Sequence, residues 1–169
     1  VNAKWDAGKY HIILDLGGGV ANFVVAGNGE LMFSRPLAGG GCKHLINSIS
    51  KSLSVSEQQA ESLFKQHAAS KTDDAVQEQV AIFLSQLVVE IQRSIDAFCL
   101  MFHSERVDSI NLCGGGSLIK GICEFLTKNL GVETKKLNPF ENIDVSSVGG
   151  QVANPELYAL AMGLAIPEN

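Results

Sequence analysis

Apolar positions first come in short runs broken by glycine, and only later in a helical stripe. Residues 11–16 and 20–26 are rich in β-branched side chains and read as strands, joined by the Gly17–Gly19 turn. "GNG" at 27–29 predicts a tight hairpin, because such residues adopt positive φ readily. A third strand follows at about 31–36. The chain thus opens as an antiparallel β-meander. Behind Gly39–Gly41, the spacing of Leu45, Ile46, Ile49 and Leu53 predicts a helix. Ser56 is placed to cap a second helix, with Glu57 and Glu61 behind it. Asp74 with Gln77 has the form of a capping box and opens the longest element. From there Val76, Val80, Phe83, Leu84, Leu87, Val88, Ile91, Ile95, Phe98 and Phe102 trace one helix face, read here as core.

The second half alternates. "VDSINL" predicts a short strand and "CGGG" a turn, with Ser117 as the cap of a helix carrying Leu118, Ile119, Ile122, Phe125 and Leu126. Gly131 is placed to stop that helix. "VETKKL" predicts another strand ended by Pro139, residues 138–154 read as irregular, and Asn154–Pro155 opens a last helix. The order is α/β with mixed strand directions, and no repeat of fixed period appears.

Composition narrows the function. A chain of 169 residues is about one domain, and 46% hydrophobic against 18% charged residues suits a folded core. Lys plus Arg (13) against Asp plus Glu (18) gives a net charge of −5, and no basic run argues for nucleic acid. "VAIFLSQLVVEI" is broken by Ser85, Gln86 and Glu90, short of the roughly 20 apolar residues of a membrane span. No basic-then-apolar leader is seen, so neither membrane insertion nor export is expected. Cys42, Cys99, Cys113 and Cys123 form no CxxC, which argues against zinc. Cys99 and Cys113 lie in apolar segments as small hydrophobes, and free thiols suit a reducing cytoplasm.

Two glycine triplets remain. The first is not a dinucleotide fingerprint: it opens no helix, and the last glycine of GxGxxG falls on Asn22. The second has P-loop spacing from Gly116 to Gly121, but Ile122 and Cys123 stand where Lys and Ser/Thr are needed. What is left is a strand, Gly114–Gly116 and a helix start, where free N–H groups and the helix dipole favour phosphate or polar ligand atoms. Tight packing of a turn on a sheet would explain either triplet equally well.

Their order is more specific. An Asp-Gly-Gly-Gly hairpin, a helical insertion, a strand–GGG–helix turn and a closing "ALAMGLA" resemble the second half of the actin-like ATPase superfamily, which includes actin, FtsA and the large heat-shock chaperones. Within it, "GELMFSRPLAGGG", "SVSEQQAE", "VVEIQRSIDAF", "NPFENI" and "ELYALAMGLAI" are similar to the PilM family, the cytoplasmic actin-like proteins of type IV pilus assembly. The resemblance runs over nearly all of 10–166. It implies an actin-like, ribonuclease H-like α/β half, with residues 1–169 as the C-terminal lobe and about 54–75 as a small helical insertion.

The resemblance also implies roles. Asp15 would organise Mg²⁺ through water, and Gly17, Gly18 and Gly19 would offer N–H groups to the β- and γ-phosphates of ATP. Gly114, Gly115, Gly116 and Ser117 would face purine and ribose, and Glu61 the nucleoside. Read from the residues alone, Asp15 is equally a turn-capping carboxylate and Glu61 a solvated helix face. Departures bear on chemistry. Val20 stands where nucleotide-binding relatives place Thr, and Asn22 where chaperones have Asp; the expected lysine position is Phe64, with Lys65 one place late. One lost hydroxyl–phosphate bond costs about 1–3 kcal/mol. No residue supplies an evident general base. The expectation is therefore a scaffold with a degenerate or half nucleotide site, and no efficient ATPase. It would sit at the inner membrane through a PilN-like cytoplasmic tail, in a type IV pilus or type II secretion platform. An active ATPase, a small-molecule kinase and a filament subunit are the alternatives.

Overall fold

The computed structural model describes residues 8–70, 74–141, 143 and 152–165. Strands β1 (Tyr10–Leu16), β2 (Ala21–Gly27) and β3 (Glu30–Leu37) form the expected meander, and β2 turns into β3 through Asn28 and Gly29, at φ 55° and 82°. Both central turn residues are left-handed, the geometry that matches strand twist in a two-residue hairpin. Helices α1 (Cys42–Leu53), α2 (Glu57–Ser70) and α3 (Asp74–Phe102) follow, then β4 (Ser109–Cys113), a 3-10 turn (Gly115–Leu118), α4 (Ile122–Leu130) and β5 (Thr134–Lys136). A second 3-10 turn (Pro155–Tyr158) leads into α5 (Ala159–Ala165).

The sheet order is β3-β2-β1-β4-β5; β2 is antiparallel to both neighbours, while β1–β4 and β4–β5 are parallel. Strands β3, β4 and β5 therefore run the same way as β1, and the two crossovers advance in one direction across the sheet. Right-handed crossovers of that kind put α1, α3 and α4 on one face. On that face Ile12, Leu14 and Leu16 pair with Val25, Phe23 and Ala21, all fully buried. Leu45 and Ile49 of α1, the α3 stripe, and Ile122 and Leu126 of α4 complete the core. In α3, Val76, Val80, Phe83, Leu84, Leu87, Ile91, Ile95 and Phe98 are buried, as the periodicity predicts.

Two local signals behave as written in the chain, and three differ. Ser56 caps α2 through a reciprocal pair with Gln59: the Gln59 N–H donates to Ser56 Oγ (3.2 Å) and the Ser56 N–H to Gln59 Oε1 (3.0 Å). Gly131 ends α4 in the left-handed region at φ 68°. Ser117, however, does not cap the α-helix. It lies inside the 3-10 turn and donates its hydroxyl to the Gly114 carbonyl at 2.6 Å, while α4 begins five residues later, at Ile122 behind Gly121 (φ 76°). Nor does the last segment start as an α-helix, since Pro155 opens a 3-10 turn. Cys113 is buried as expected, but Cys99 is only half-buried on α3.

Candidate functional site

The first glycine turn is shaped by α1. The N–H groups of Cys42 and Lys43 donate to the carbonyls of Gly17 (3.0 Å) and Gly18 (2.8 Å). A trans peptide points its C=O and the next N–H in opposite directions, and no cis peptide is recorded among the described residues. The N–H groups of Gly18 and Gly19 are thus turned away from α1, at positions that are exposed. Gly41 permits this approach: a Cβ there would lie 2.5 Å from the Gly19 oxygen and 2.9 Å from that of Gly18. Hence α1 consumes its own first N–H groups on the loop, and the loop offers its N–H groups outward. Val20, next in line, is 52% exposed and carries no hydroxyl.

The second turn abuts the first. Asp15 pairs in register with Cys113 at the ends of β1 and β4, so Gly114 emerges beside the Asp15 carboxylate. At φ 80°, a Cβ on Gly114 would collide with Asp15 Oδ1 and lie 2.8 Å from the Leu16 carbonyl. A Cβ on Gly116 would fall 2.6 Å from Leu16 Cβ and 3.1 Å from Cys42 Sγ. The structure therefore brings together Asp15, Gly17, Gly18, Gly19, Gly114, Gly115, Gly116 and Ser117 at one end of the sheet. Beyond the turn, Leu118–Glu124 and Lys136 line a cleft of about 410 Å³.

Asp15 is half-buried and its charge reaches two thiols. Burial, and secondarily that charge, push the Cys113 thiol up to about 12. Burial is also the largest cause raising Cys42, with the Asp15 charge adding to it and a backbone hydrogen bond opposing it. Both thiols stay protonated near neutrality and are poor nucleophiles. Sequence reasoning missed Cys42 and Gly41 as parts of this site. The one available signal was a second Gly-Gly-Gly directly before a helix.

Glu61 and Lys65 form an exposed i,i+4 ion pair on α2, Nζ to Oε1 2.6 Å. The nearest tie from α2 towards the loop is Glu57, 3.8 Å from Lys43 Nζ.

An actin-like site implies Mg²⁺ and a nucleotide, and the residues fit such a group in a limited sense. No cluster of three or more His, Cys, Asp or Glu exists among the described residues. One carboxylate suits a hydrated Mg²⁺ that keeps most of its waters, not a dehydrated structural metal. The described residues also include no helix long and apolar enough to cross a membrane.

The model of the type IV pilus assembly protein PilM family matches residues 3–169. Among solved structures, the PilM–PilN type IV pilus biogenesis complex matches at TM-score 0.72 and 22% identity, covering 92% of this chain and 45% of that one. The ethanolamine utilization protein EutJ of Carboxydothermus hydrogenoformans matches at TM-score 0.66 and 18% identity, over 92% and 48%. MreB5 of Spiroplasma citri, bound to AMPPNP, matches at 0.64 and 16%, over 94% and 52%. These likenesses establish the actin-like α/β fold, and the chain spans about half the length of each structure it matches.

Proposed function

This chain belongs to the type IV pilus assembly protein PilM family, and on that premise we propose that it is a lobe of a cytoplasmic actin-like scaffold rather than an efficient ATPase. The residues 1–169 form its second lobe, with about 54–75 as a small helical insertion. Its docking partner is the cytoplasmic tail of a PilN-like inner-membrane protein, and through that partner it is held at the membrane of a pilus or type II secretion platform. Support for the partner is the similar protein solved in a PilM–PilN complex. A pull-down of the pilus protein containing this lobe by such a tail is expected to recover a complex. Steady-state ATP hydrolysis by that protein, abolished by Asp15→Ala, would overturn the scaffold reading.

One observation carries the view of the nucleotide site: the hairpin directs the Gly18 and Gly19 N–H groups outward, while Val20 beside them offers no hydroxyl. The shape for phosphate is kept and part of the chemistry is gone. Asp15 would hold a hydrated Mg²⁺, whose charge when bound offsets that of the phosphates. Gly115, where a Cβ would meet nothing within 4 Å, would let a flat ring approach the backbone closely. Such exposed contacts contribute little, since water competes for each N–H and salt screens the charge. Calorimetry of this chain with Mg-ATP is expected to give a Kd no tighter than about 0.1 mM, ~5.5 kcal/mol. A micromolar Kd lost on Asp15→Ala would favour the second reading, an active ATPase, which the shared fold with an AMPPNP-bound neighbour supports.

A further inference from the structure

Glu156 is the one acidic side chain buried among the described residues, at 3% exposure. Its carboxylate accepts from Lys136 Nζ on β5 at 2.7 Å. Its backbone carbonyl accepts the Gly114 N–H at 3.2 Å. One residue therefore grips β5 with its side chain and the second glycine turn with its main chain. It stands in the 3-10 turn that roots α5, a helix with no buried residue and with Leu160 and Leu164 exposed at 71% and 81%. The Cys123 thiol, on the first turn of α4, feels the charges of both Lys136 and Glu156, so the pair lies against the cleft beyond the turn.

We infer that Glu156 is a positioning residue that makes the closing helix α5 and the glycine turn 114–118 one mechanical unit. The ion pair is a costly way to gain stability alone, because the Glu156 carboxylate is desolvated while Lys136 stays 45% exposed and offsets only part of that cost. What it adds is direction: a buried carboxylate with Lys136 as its cation holds the 3-10 turn in one register. With that register fixed, the Glu156 carbonyl meets the Gly114 N–H and keeps Gly114 at φ 80° beside Asp15. A load on the exposed leucines of α5 is then felt at Gly114, and a change at the turn is felt at α5, since such coupling is reciprocal. The inference does not depend on a nucleotide binding the turn, so it stands or falls separately from the proposed function.

The test is amide hydrogen exchange on the whole chain, comparing wild type with Glu156→Ala, Lys136→Met and the double variant Lys136→Met/Glu156→Leu. The probes are the N–H groups of Gly114, Ser117 and Ile119, which are bonded to Glu156, Gly114 and Gly116. Each single variant is expected to speed their exchange about tenfold or more, while the α3 amides around Ile91 hold their rates. The double variant, which leaves no buried unpaired charge, is expected to keep the fast exchange at these probes, because an apolar pair fills the space without fixing the register; recovery of the protection would overturn the inference. Should Glu156→Ala not fold, Lys136→Met alone reads the same probes without touching the turn. Unchanged exchange at Gly114–Ile119, or equal acceleration across α3, would overturn the inference, the latter because the pair would then support only overall stability.

Discussion

Leu87→Asp is expected to leave too little stability for the chain to remain folded at room temperature. Leu87 is 2% exposed at the middle of α3, a helix of 29 residues that packs against β3, α1, α2 and α4. Two costs add there. Removing the leucine forfeits about 2–5 kcal/mol of burial and packing, and an unpaired carboxylate in the same place costs several kcal/mol more before it protonates. Domains of this size are stable by about 5–15 kcal/mol in all. Leu100→Asp, on the same helix but at an 80% exposed position, should stay within roughly 0.5 kcal/mol of wild type. Urea unfolding followed by circular dichroism separates the two. Equal midpoints for Leu87→Asp and wild type would mean that α3 does not carry the core.

The contrast shows what the sequence made legible. The α3 stripe could be read because burial on one helix face repeats every three or four residues, a local signal. The Asn28–Gly29 turn and the Gly131 stop were legible for the same reason, each being a backbone demand met by one residue type. The glycine triplets announced close approach, but not to what. Gly114 turns out to sit against Asp15, ninety-nine positions earlier in the chain, and Gly41 against Gly18 and Gly19. Contacts of that range leave no period behind.

Charged pairs were the least legible. Glu61 and Lys65 invite a functional reading, yet the i,i+4 spacing alone explains their ion pair on an exposed face. Lys136 and Glu156 invite none, being twenty residues apart in the sequence, yet theirs is the ion pair whose carboxylate is buried, against a half-exposed lysine. Ser117 shows the same limit at short range. Its hydroxyl had a choice between capping a helix and bonding the carbonyl three residues back, and Gly114 in the left-handed region decided for the latter.

The two glycines at the heart of the second turn should respond in opposite ways to one methyl group. Gly114→Ala places a Cβ on a backbone at φ 80° and ψ 174°, a region kept almost wholly to glycine and worth about 1–3 kcal/mol of strain by itself. That Cβ also meets the Asp15 carboxylate and, at 2.8 Å, the Leu16 carbonyl, and the carbonyl cannot retreat without disturbing strand pairing at the end of β1. A total near 3–5 kcal/mol is expected, in the range reserved for backbone strain combined with overpacking. Gly115→Ala meets nothing within 4 Å and needs no left-handed backbone. It should be neutral, or stabilise by up to about 1 kcal/mol, because alanine restricts the unfolded chain more than glycine does. Thermal unfolding of the two variants side by side measures the difference. If Gly114→Ala melts with wild type, the turn can move off Asp15 at little cost, and the convergence of the two glycine loops is looser than the distances at Leu16 and Gly41 require.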